Sequence, residues 1–237
     1  MKTVVITGAD RGVGFGLVER FLQLGWRVFA GQFMPQWPEL AQLREGHPKR
    51  LILLPLDVAS DDSVRAAAKA VRGQTCRVDL LINNAGISGG VGSICELKDL
   101  ERGRAVLQVN VLGALRMVRA FLPLMAVEGG MRRLCFVSSE AGSISVCHRG
   151  EGFVYAMSKT ALNMTVQLLF RELYPQGFTF RLYHPGWVRS YMSGQKSTMG
   201  KVEPEETALA ASYQFLADRP QEDVLVLVDN ENVAWPF

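Results

Sequence analysis

The sequence predicts a single α/β domain in which helices cover both faces of a mostly parallel, seven-stranded sheet. Short runs of β-branched and aliphatic residues alternate with longer segments of helical periodicity almost from end to end. Such alternation is typical of right-handed crossovers between parallel strands. The chain of 237 residues is long enough for one large core and short for two. We therefore expect one domain, residues 1–237, built as a three-layer α/β/α sandwich.

Seven strands and the helices between them are predicted in order. The predicted strands are Thr3–Thr7, Trp26–Ala30, Leu51–Leu54, Val78–Ile82, Leu134–Val137, Phe178–Tyr183 and Val224–Val228. The first predicted helix follows a glycine-rich turn after the first strand. Further predicted helices cover Asp61–Val71, Leu100–Met125 and Tyr155–Tyr174, and the last begins at Pro204. The ligand site of such a sheet lies where strands end at their carboxyl side, near the point at which the strand order reverses.

Composition and charge argue against several classes of function. The net charge of +3 is small and the basic residues are scattered among acids, so we expect no nucleic-acid partner. The four cysteines and three histidines show no metal-ligand spacing, which predicts neither a metal site nor a disulfide. We find no signal-like segment and no stretch of about 20 apolar residues, so we expect no membrane contact and a cytoplasmic location.

A glycine-rich turn, Thr7 to Gly14, follows the first strand and contains Gly8, Gly12 and Gly14. Glycines let a backbone approach a pyrophosphate closely, and the N–H groups at the start of the next helix can bind it. The spacing G-x-G-x-x-G is not met, because Leu17 stands at the last glycine position. By itself the turn fits a nucleotide site or a simple strand-to-helix loop.

Tyr155 and Lys159 stand four residues apart in a predicted helix and so share one face. Ser139 lies upstream, after the fifth predicted strand, with Ser138 and Ser143 as alternatives for the same role. A Tyr–Lys pair arises often by chance, but beside a serine and a glycine turn it indicates general acid–base chemistry. A tyrosine with a pKa of about 10 exchanges protons poorly near neutrality, and we expect the lysine ammonium to lower that pKa.

The order of the motifs resembles the short-chain dehydrogenase/reductase family from residue 3 to about residue 190. The matching motifs are Thr-Gly-x-x-x-Gly-x-Gly at 7–14, Asp57-Val58, Asn83-Asn84-Ala85-Gly86, Asn110, Tyr155-x-x-x-Lys159, and Pro185-Gly186-Trp187-Val188-Arg189-Ser190. The form Ser-Ser-x-x-Gly-Ser-Ile at 138–144, together with His184-Pro185-Gly186-Trp187-Val188, is similar to the branch of C-factor and the sniffer carbonyl reductase.

The resemblance implies a Rossmann-like fold, an NAD(P)(H) cofactor and a carbonyl–alcohol interconversion, with a homodimer or homotetramer as the assembly. It implies that Tyr155 is the general acid/base, that Lys159 bonds the nicotinamide ribose, and that Ser139 holds the substrate oxygen. Asn110 is expected to anchor a water that links the lysine to solvent. The implied cofactor contacts are Gly8, Asp10, Arg11, Gly12, Val13, Gly14, Asp57, Val58, Asn83, Ala85, Gly86, Tyr155, Lys159, Pro185, Gly186, Val188 and Ser190.

The choice between NAD and NADP depends on the end of the second strand. Here Ala30-Gly31-Gln32-Phe33 offers neither an acid for the ribose hydroxyls nor a base for a 2′-phosphate. Arg11 stands where NADP-dependent relatives often have a basic residue, which favours NADP(H) over NAD(H). Asp10 would repel a phosphate unless its side chain points away.

Three variable segments, 87–96, 140–154 and 191–202, are expected to surround the substrate. The segment 140–154 is longer than in most relatives and is expected to form one wall of the pocket. Residues 191–203 are predicted to be either a lid or a plain surface loop. The preferred function is a carbonyl reductase for a small or medium apolar carbonyl. The alternatives are an NAD-dependent enzyme working in the oxidative direction and a signalling protein that binds the cofactor with little turnover.

Overall fold

Strands and helices alternate along the chain. The structure is a computed structural model that describes residues 1–90, 92–96, 100–192 and 194–237. The strands are β1 (Thr3–Ile6), β2 (Arg27–Gln32), β3 (Leu51–Pro55), β4 (Leu80–Asn83), β5 (Arg133–Val137), β6 (Thr179–His184), β7 (Leu227–Asp229) and β8 (Ala234–Trp235). The helices are α1 (Gly12–Gln23), α2 (Glu39–Gly46), α3 (Asp61–Arg72), α4 (Leu100–Leu107), α5 (Ala114–Met125), α6 (Phe153–Leu173) and α7 (Pro204–Leu216).

One sheet contains these strands in the order β3-β2-β1-β4-β5-β6-β7-β8. Strands β1 to β7 pair in parallel, and β8 runs antiparallel to β7. The Rossmann-like fold class is confirmed, with eight strands where seven were predicted. The additional strand is two residues long, too short to show an alternating pattern. The strand order reverses between β1 and β4, so the ligand crevice is expected there.

Three local features differ from the sequence expectation. Helix α2 was not predicted, because it buries only Leu40 and therefore has almost no apolar stripe. The predicted helix Leu100–Met125 is interrupted by a π-helical turn, Gln108–Gly113, which joins α4 to α5. The last parallel strand begins three residues later and ends one residue later than predicted, at Leu227–Asp229, where the side chains are buried.

The core consists of two apolar layers, one on each face of the sheet. One layer centres on Phe121 of α5 and Phe136 of β5, together with Phe170 of α6. The other layer centres on Phe21 of α1 and Phe215 of α7. All residues of β1 are buried, as expected for a strand covered on both faces. The two layers hold the sheet rigid, so the carboxyl ends of its strands have fixed relative positions.

The segment Leu100–Met125 is long and apolar enough to cross a membrane by length and composition alone. It is not an unbroken apolar stretch, because charged residues such as Arg116 and Arg119 interrupt it. Met117, Val118 and Phe121 of this segment are buried in the core beside the sheet. This is the packing of a core helix in a globular α/β domain.

Candidate active site

The glycine turn and the loop after β4 are joined by the side chains of Thr7 and Asn84. The hydroxyl of Thr7 accepts hydrogen bonds from the backbone N–H groups of Asn84 (3.0 Å) and Ala85 (2.9 Å). The amide of Asn84 donates to the carbonyl oxygens of Thr7 (2.9 Å) and Gly8 (3.0 Å). These four bonds hold the ends of β1 and β4 together at the reversal of strand order.

The glycine turn has the close backbone approach that a pyrophosphate site needs. Gly8 has a φ of +61°, and a side chain there would meet the Cα of Ala85 at 2.8 Å. At Gly14 a Cβ would lie 2.0 Å from the Gly8 carbonyl oxygen, so only glycine fits. Helix α1 begins at Gly12, and the side chain of its N-cap residue, Arg11, does not cap the first N–H groups. These groups fit a dinucleotide pyrophosphate.

Asp10 supports the turn from behind. Its carboxylate is buried and accepts hydrogen bonds from the backbone N–H groups of Phe33 (3.1 Å) and Met34 (2.8 Å). Each oxygen therefore binds the backbone that follows β2. The side chain ties the glycine turn to the end of that strand, and the expected contact between Asp10 and the cofactor stays a prediction.

Arg11 lies between two aromatic rings at the entrance to the turn. Its guanidinium carbon is 4.8 Å from the ring centroid of Trp37 and 5.4 Å from that of Tyr191. It also donates a hydrogen bond to the Tyr191 carbonyl oxygen (3.0 Å). Cation–π contacts on two sides restrict the guanidinium. Arg11 thus connects the glycine turn with the segment 191–203, of which residue 193 lies outside the described residues.

Tyr155 and Lys159 share a face of α6, as predicted, and both lie near its start. The Lys159 Nζ is 5.7 Å from the Tyr155 ring centroid and donates to the carbonyl oxygen of Val137 at the end of β5 (2.9 Å). Helix α6 therefore brings both side chains to the carboxyl edge of the sheet. The lysine is buried there.

Burial dominates the electrostatics of this pair. It raises the pKa of Tyr155 to about 12, although a hydrogen bond with Ser139 opposes the rise. It lowers the pKa of Lys159 to about 8, because the ammonium has lost its hydration. The expected lowering of the tyrosine pKa is thus not found. The influences on this phenol are burial, which is the largest, the hydrogen bond with Ser139, and the charges of Glu140 and Arg149.

Among the three candidate serines, Ser139 is the one that interacts with Tyr155. Its Oγ donates a short hydrogen bond to the Glu140 carboxylate (2.5 Å) and accepts one from the N–H of Ala141 (3.1 Å). Ser138 instead donates to the side chain of Asn163 (2.6 Å). Ser143 is buried, and its hydroxyl has no hydrogen-bond partner among the described residues. The local geometry favours Ser139 for the substrate-binding role.

Asn110 lies inside the π-helical turn and joins three parts of the site. Its side chain exchanges two hydrogen bonds with the backbone of Ile87 (2.8 and 3.0 Å) and donates to the hydroxyl of Ser158 (3.0 Å). Ser158 in turn donates to the carbonyl oxygen of Tyr155 (2.7 Å). Single π-helical turns often occur at functional sites. Asn110 positions the start of α6 against the loop after β4, and the expected role in anchoring water stays a prediction.

The remaining predicted contacts form two groups. Val58, Asn83, Ala85 and Asn110 line one small cavity under the strand ends. Gly86 lies nearby, since a Cβ built there would be 3.5 Å from the Asn110 Oδ1. Asp57 belongs to the turn before α3, where its carboxylate accepts the N–H of Ala59 (2.8 Å).

The second group is the loop Pro185–Ser190, which is held from both sides. Gly186 has a φ of +77°, and a Cβ there would lie 2.5 Å from the side chain of Asn230. The carbonyl oxygen of Pro185 accepts from the hydroxyl of Thr207 (2.8 Å). Val188 pairs with Val202, so the loop runs beside the end of the 191–203 segment.

Two contributions were missed by sequence reasoning. Asn84, rather than Asn83, makes the hydrogen bonds to the glycine turn. The sequence alone does not show which of these two adjacent asparagines faces the turn. Glu140 contacts Ser139 directly, with its carboxylate also paired to Arg149 and 3.5 Å from His184. The signal for Glu140 was its place next to the serine. Among the residues that the structure describes, no cluster of His, Cys, Asp and Glu is arranged to hold a metal.

Comparison with known proteins identifies the family. The profile of the short chain dehydrogenase family matches residues 2–201, most of the chain. The chain belongs to this family. As a short-chain dehydrogenase it is an NAD(P)-dependent oxidoreductase.

Individual relatives confirm the resemblance to the C-factor and sniffer branch. The short-chain dehydrogenase is 41% identical to the C-signal protein of Myxococcus xanthus over 124 residues, 52% of this chain and 72% of that protein. The carbonyl reductase Sniffer of Drosophila melanogaster has the same fold over both full chains, with a TM-score of 0.88 and 25% identity. A carbonyl reductase of Pseudomonas aeruginosa in complex with NADP matches over both full chains with a TM-score of 0.83 and 31% identity.

The bonds at the strand reversal predict a large effect of Thr7→Val. The substitution keeps the shape of the side chain but leaves two backbone N–H groups without their acceptor. We expect the free energy of unfolding to fall by about 3 kcal/mol, measured by urea denaturation. Thr165→Val, which removes only a bond to the Ala161 carbonyl oxygen on α6, should cost less than about 1 kcal/mol. Equal costs for the two variants would contradict the proposed importance of Thr7.

The buried lysine predicts a pH-dependent stability. The pKa of Lys159 is about 8 when folded and 10.5 when unfolded, so the unfolded chain binds the extra proton between these values. Stability attributable to this group therefore rises from pH 8 to pH 10.5, and its cost is fully present below pH 8. Lys159→Met should stabilise the nucleotide-free protein at pH 7, by up to about 3 kcal/mol, and flatten that rise.

The exposed Lys69 of α3 supplies a matched control for this measurement. Lys69→Met should leave the dependence of the unfolding free energy on pH as it is in the wild type. If Lys159→Met kept the wild-type slope between pH 8 and pH 10, the lysine would not be buried as described.

Proposed function

We propose that this short-chain dehydrogenase is an NADP(H)-dependent carbonyl reductase for small or medium apolar carbonyl compounds. The observation that carries the proposal is the meeting of Ser139, Tyr155 and Lys159 at the carboxyl end of β5, on the same edge of the sheet as a glycine turn that fits a pyrophosphate. The solved relatives include carbonyl reductases bound to NADP, which supports the same chemistry here. When bound, the nicotinamide supplies the hydride.

The side chains of the site divide the remaining work between them. Reduction leaves a developing negative charge on the substrate oxygen, which needs a proton from a group close by. We assign that proton to the phenol of Tyr155, which burial keeps protonated near neutral pH. Ser139 holds the substrate oxygen beside the phenol. The Lys159 Nζ, with a pKa of about 8, exists in both protonation states near neutrality and is suited to return the proton to the tyrosine.

The preference for NADP(H) is argued from Arg11. Strand β2 ends at Gln32, with no acidic side chain there to accept the ribose hydroxyls. The guanidinium of Arg11 lies at the entrance to the glycine turn and is already restricted by Trp37 and Tyr191. The Asp10 carboxylate is turned away to the backbone, so it does not cancel the positive charge. A preorganised guanidinium suits a phosphate monoester.

A second candidate function is a signalling protein that binds the cofactor with little turnover. The similarity to the C-signal protein of Myxococcus xanthus favours this alternative. A signalling role does not explain why Ser139, Tyr155 and Lys159 lie together, however, because a protein that only senses the cofactor needs no tyrosine hydroxyl. We therefore place it second.

The assembly and the location stay predictions. Apolar side chains on the outer face of α6, among them Met157, Met164 and Leu168, are more than half exposed. This surface supports the expectation of a homodimer or homotetramer, which sedimentation velocity would check; a monomer at micromolar concentration would contradict it. A cytoplasmic location is expected from the sequence alone.

Replacement of the proton donor separates the two functions. Tyr155→Phe removes only the hydroxyl, so we expect NADPH to bind as in the wild type while turnover falls by about 10²–10⁴-fold. Steady-state oxidation of NADPH with a panel of ketones and aldehydes measures this change. The exposed Tyr213→Phe on α7 is the matched control and should keep wild-type activity. A signalling role that survives in Tyr155→Phe, with no wild-type turnover on any carbonyl, would favour the sensor.

The role of Arg11 is tested by the ratio of cofactor affinities. Arg11→Ala should raise the Michaelis constant for NADPH more than that for NADH, because only NADPH carries the 2′-phosphate. Arg20→Ala, which removes a similar Arg–aromatic contact with Tyr213 elsewhere on α1, should change neither. Equal changes for NADPH and NADH in Arg11→Ala would remove the basis for the NADP preference.

A further inference from the structure

Tyr155 lies in a helical turn that has no capping side chain. Helix α6 begins at Phe153, and Tyr155 is its third residue. The N-cap residue is Gly152, which has a φ of +71° and no side chain to bind the first N–H groups. In many helices a polar N-cap side chain satisfies these groups and stabilises the first turn. The position of Tyr155 therefore depends on what packs against the start of α6.

Gly89 packs against this turn more closely than a residue with a side chain could. A Cβ built on Gly89 would lie 2.8 Å from the Cβ of Val154 and 2.9 Å from its Cγ1. It would also lie 3.3 Å from the backbone nitrogen of Tyr155. Carbon atoms in van der Waals contact are about 3.5–4.0 Å apart. The segment 87–96 thus lies directly against the backbone that carries the phenol, and only a glycine permits this approach.

A side chain at Gly89 would displace Val154 rather than the loop that carries Gly89. The backbone of Ile87, two residues earlier, is held by two hydrogen bonds with the side chain of Asn110 (2.8 and 3.0 Å). The conflicting Cβ of Val154 is fixed to the helix backbone, so a change of rotamer cannot relieve the contact. On the other side of the valine, a Cβ built on Gly103 of α4 would still be 3.5 Å away, which leaves room for a shift. The start of α6 would therefore move toward α4.

We propose that Gly89 is a positioning residue that sets the place of the Tyr155 phenol, because it lets the segment 87–96 hold the first turn of α6 in direct contact. This inference rests on the proposed function, since it concerns proton transfer by that phenol. Restoring an ordinary contact distance from 2.8 Å needs a displacement of about 1 Å, and a misplacement of this size can cost about 10²-fold in rate. A segment expected to surround the substrate thus also determines the geometry of proton transfer.

Gly89→Ala tests this contact by adding one methyl group. We expect kcat for the ketone that the wild type reduces best to fall by about 10²-fold. The KM for the ketone and the Kd for NADPH should stay within about threefold of the wild type, because the added methyl group faces the helix. Gly103→Ala is the matched control. It adds a methyl group 3.5 Å from the same valine, an ordinary contact distance, and should keep the wild-type kcat.

Two further backgrounds show whether the loss depends on the phenol. In Tyr155→Phe the proton donor is already absent, so Gly89→Ala should lower the remaining single-turnover rate by less than about twofold. In Val154→Gly the conflicting Cβ is absent, so Gly89→Ala should lower kcat by less than about threefold relative to Val154→Gly alone. A general defect in folding would lower the rate by the same factor in every background. The Tyr155→Phe comparison stands by itself if Val154→Gly does not fold.

The outcomes separate this inference from the proposed function. A wild-type kcat in Gly89→Ala, with or without a higher KM for the ketone, would show that the loop moves instead of the helix and would overturn the role of Gly89 alone. An equal loss in Gly103→Ala, or an equal further loss in the Tyr155→Phe background, would overturn it as well, because the effect would not depend on the phenol. A wild type that binds NADPH but turns over no carbonyl or alcohol would contradict the proposed function, and the inference with it.

Discussion

The hydrogen bonds between Thr7 and the loop after β4 are the constraint on which the rest of the site depends. Parallel strands place their carboxyl ends along one edge, but neighbouring loops diverge where the strand order reverses. Thr7 and Asn84 close that gap, and so the glycine turn lies against the backbone of Ala85. Asn110 continues the connection from the same loop to the start of α6. The glycine turn and the start of α6 are thereby held in one rigid frame.

Burial gives the site its chemistry at a cost in stability. Burial makes the ammonium of Lys159 and the phenolate of Tyr155 less favourable in the folded chain than in water, and near neutral pH only the lysine carries this cost, because the phenol is then neutral. The fold tolerates them because two packed apolar layers support the sheet on which the site is built. The same low-polarity surroundings keep the charge of Glu140 dependent on its partners.

Much of this organisation could be predicted from the sequence, because it depends on local patterns. The mostly parallel sheet with helices on both faces followed from the alternation of elements, and the pairing of Tyr155 with Lys159 followed from helical spacing. Contacts between distant segments could not be predicted. Nothing in the sequence distinguishes Asn84 from Asn83, and the tyrosine pKa depends on how deeply the fold encloses the phenol. Helix α2 and the two-residue β8 were missed because their patterns are too short or too weakly apolar to detect.

The central claim is that this frame positions a nicotinamide and a carbonyl compound for hydride transfer. The most direct measurement is the fate of deuterium from NADPH that carries two deuterium atoms at C4 of the nicotinamide. After reaction with a ketone from the panel, the product alcohol is examined by NMR and mass spectrometry. Direct hydride transfer predicts one deuterium on the carbon that was the carbonyl carbon. Alcohol formed without deuterium at that carbon, or deuterated NADPH left unchanged with every carbonyl, would contradict it.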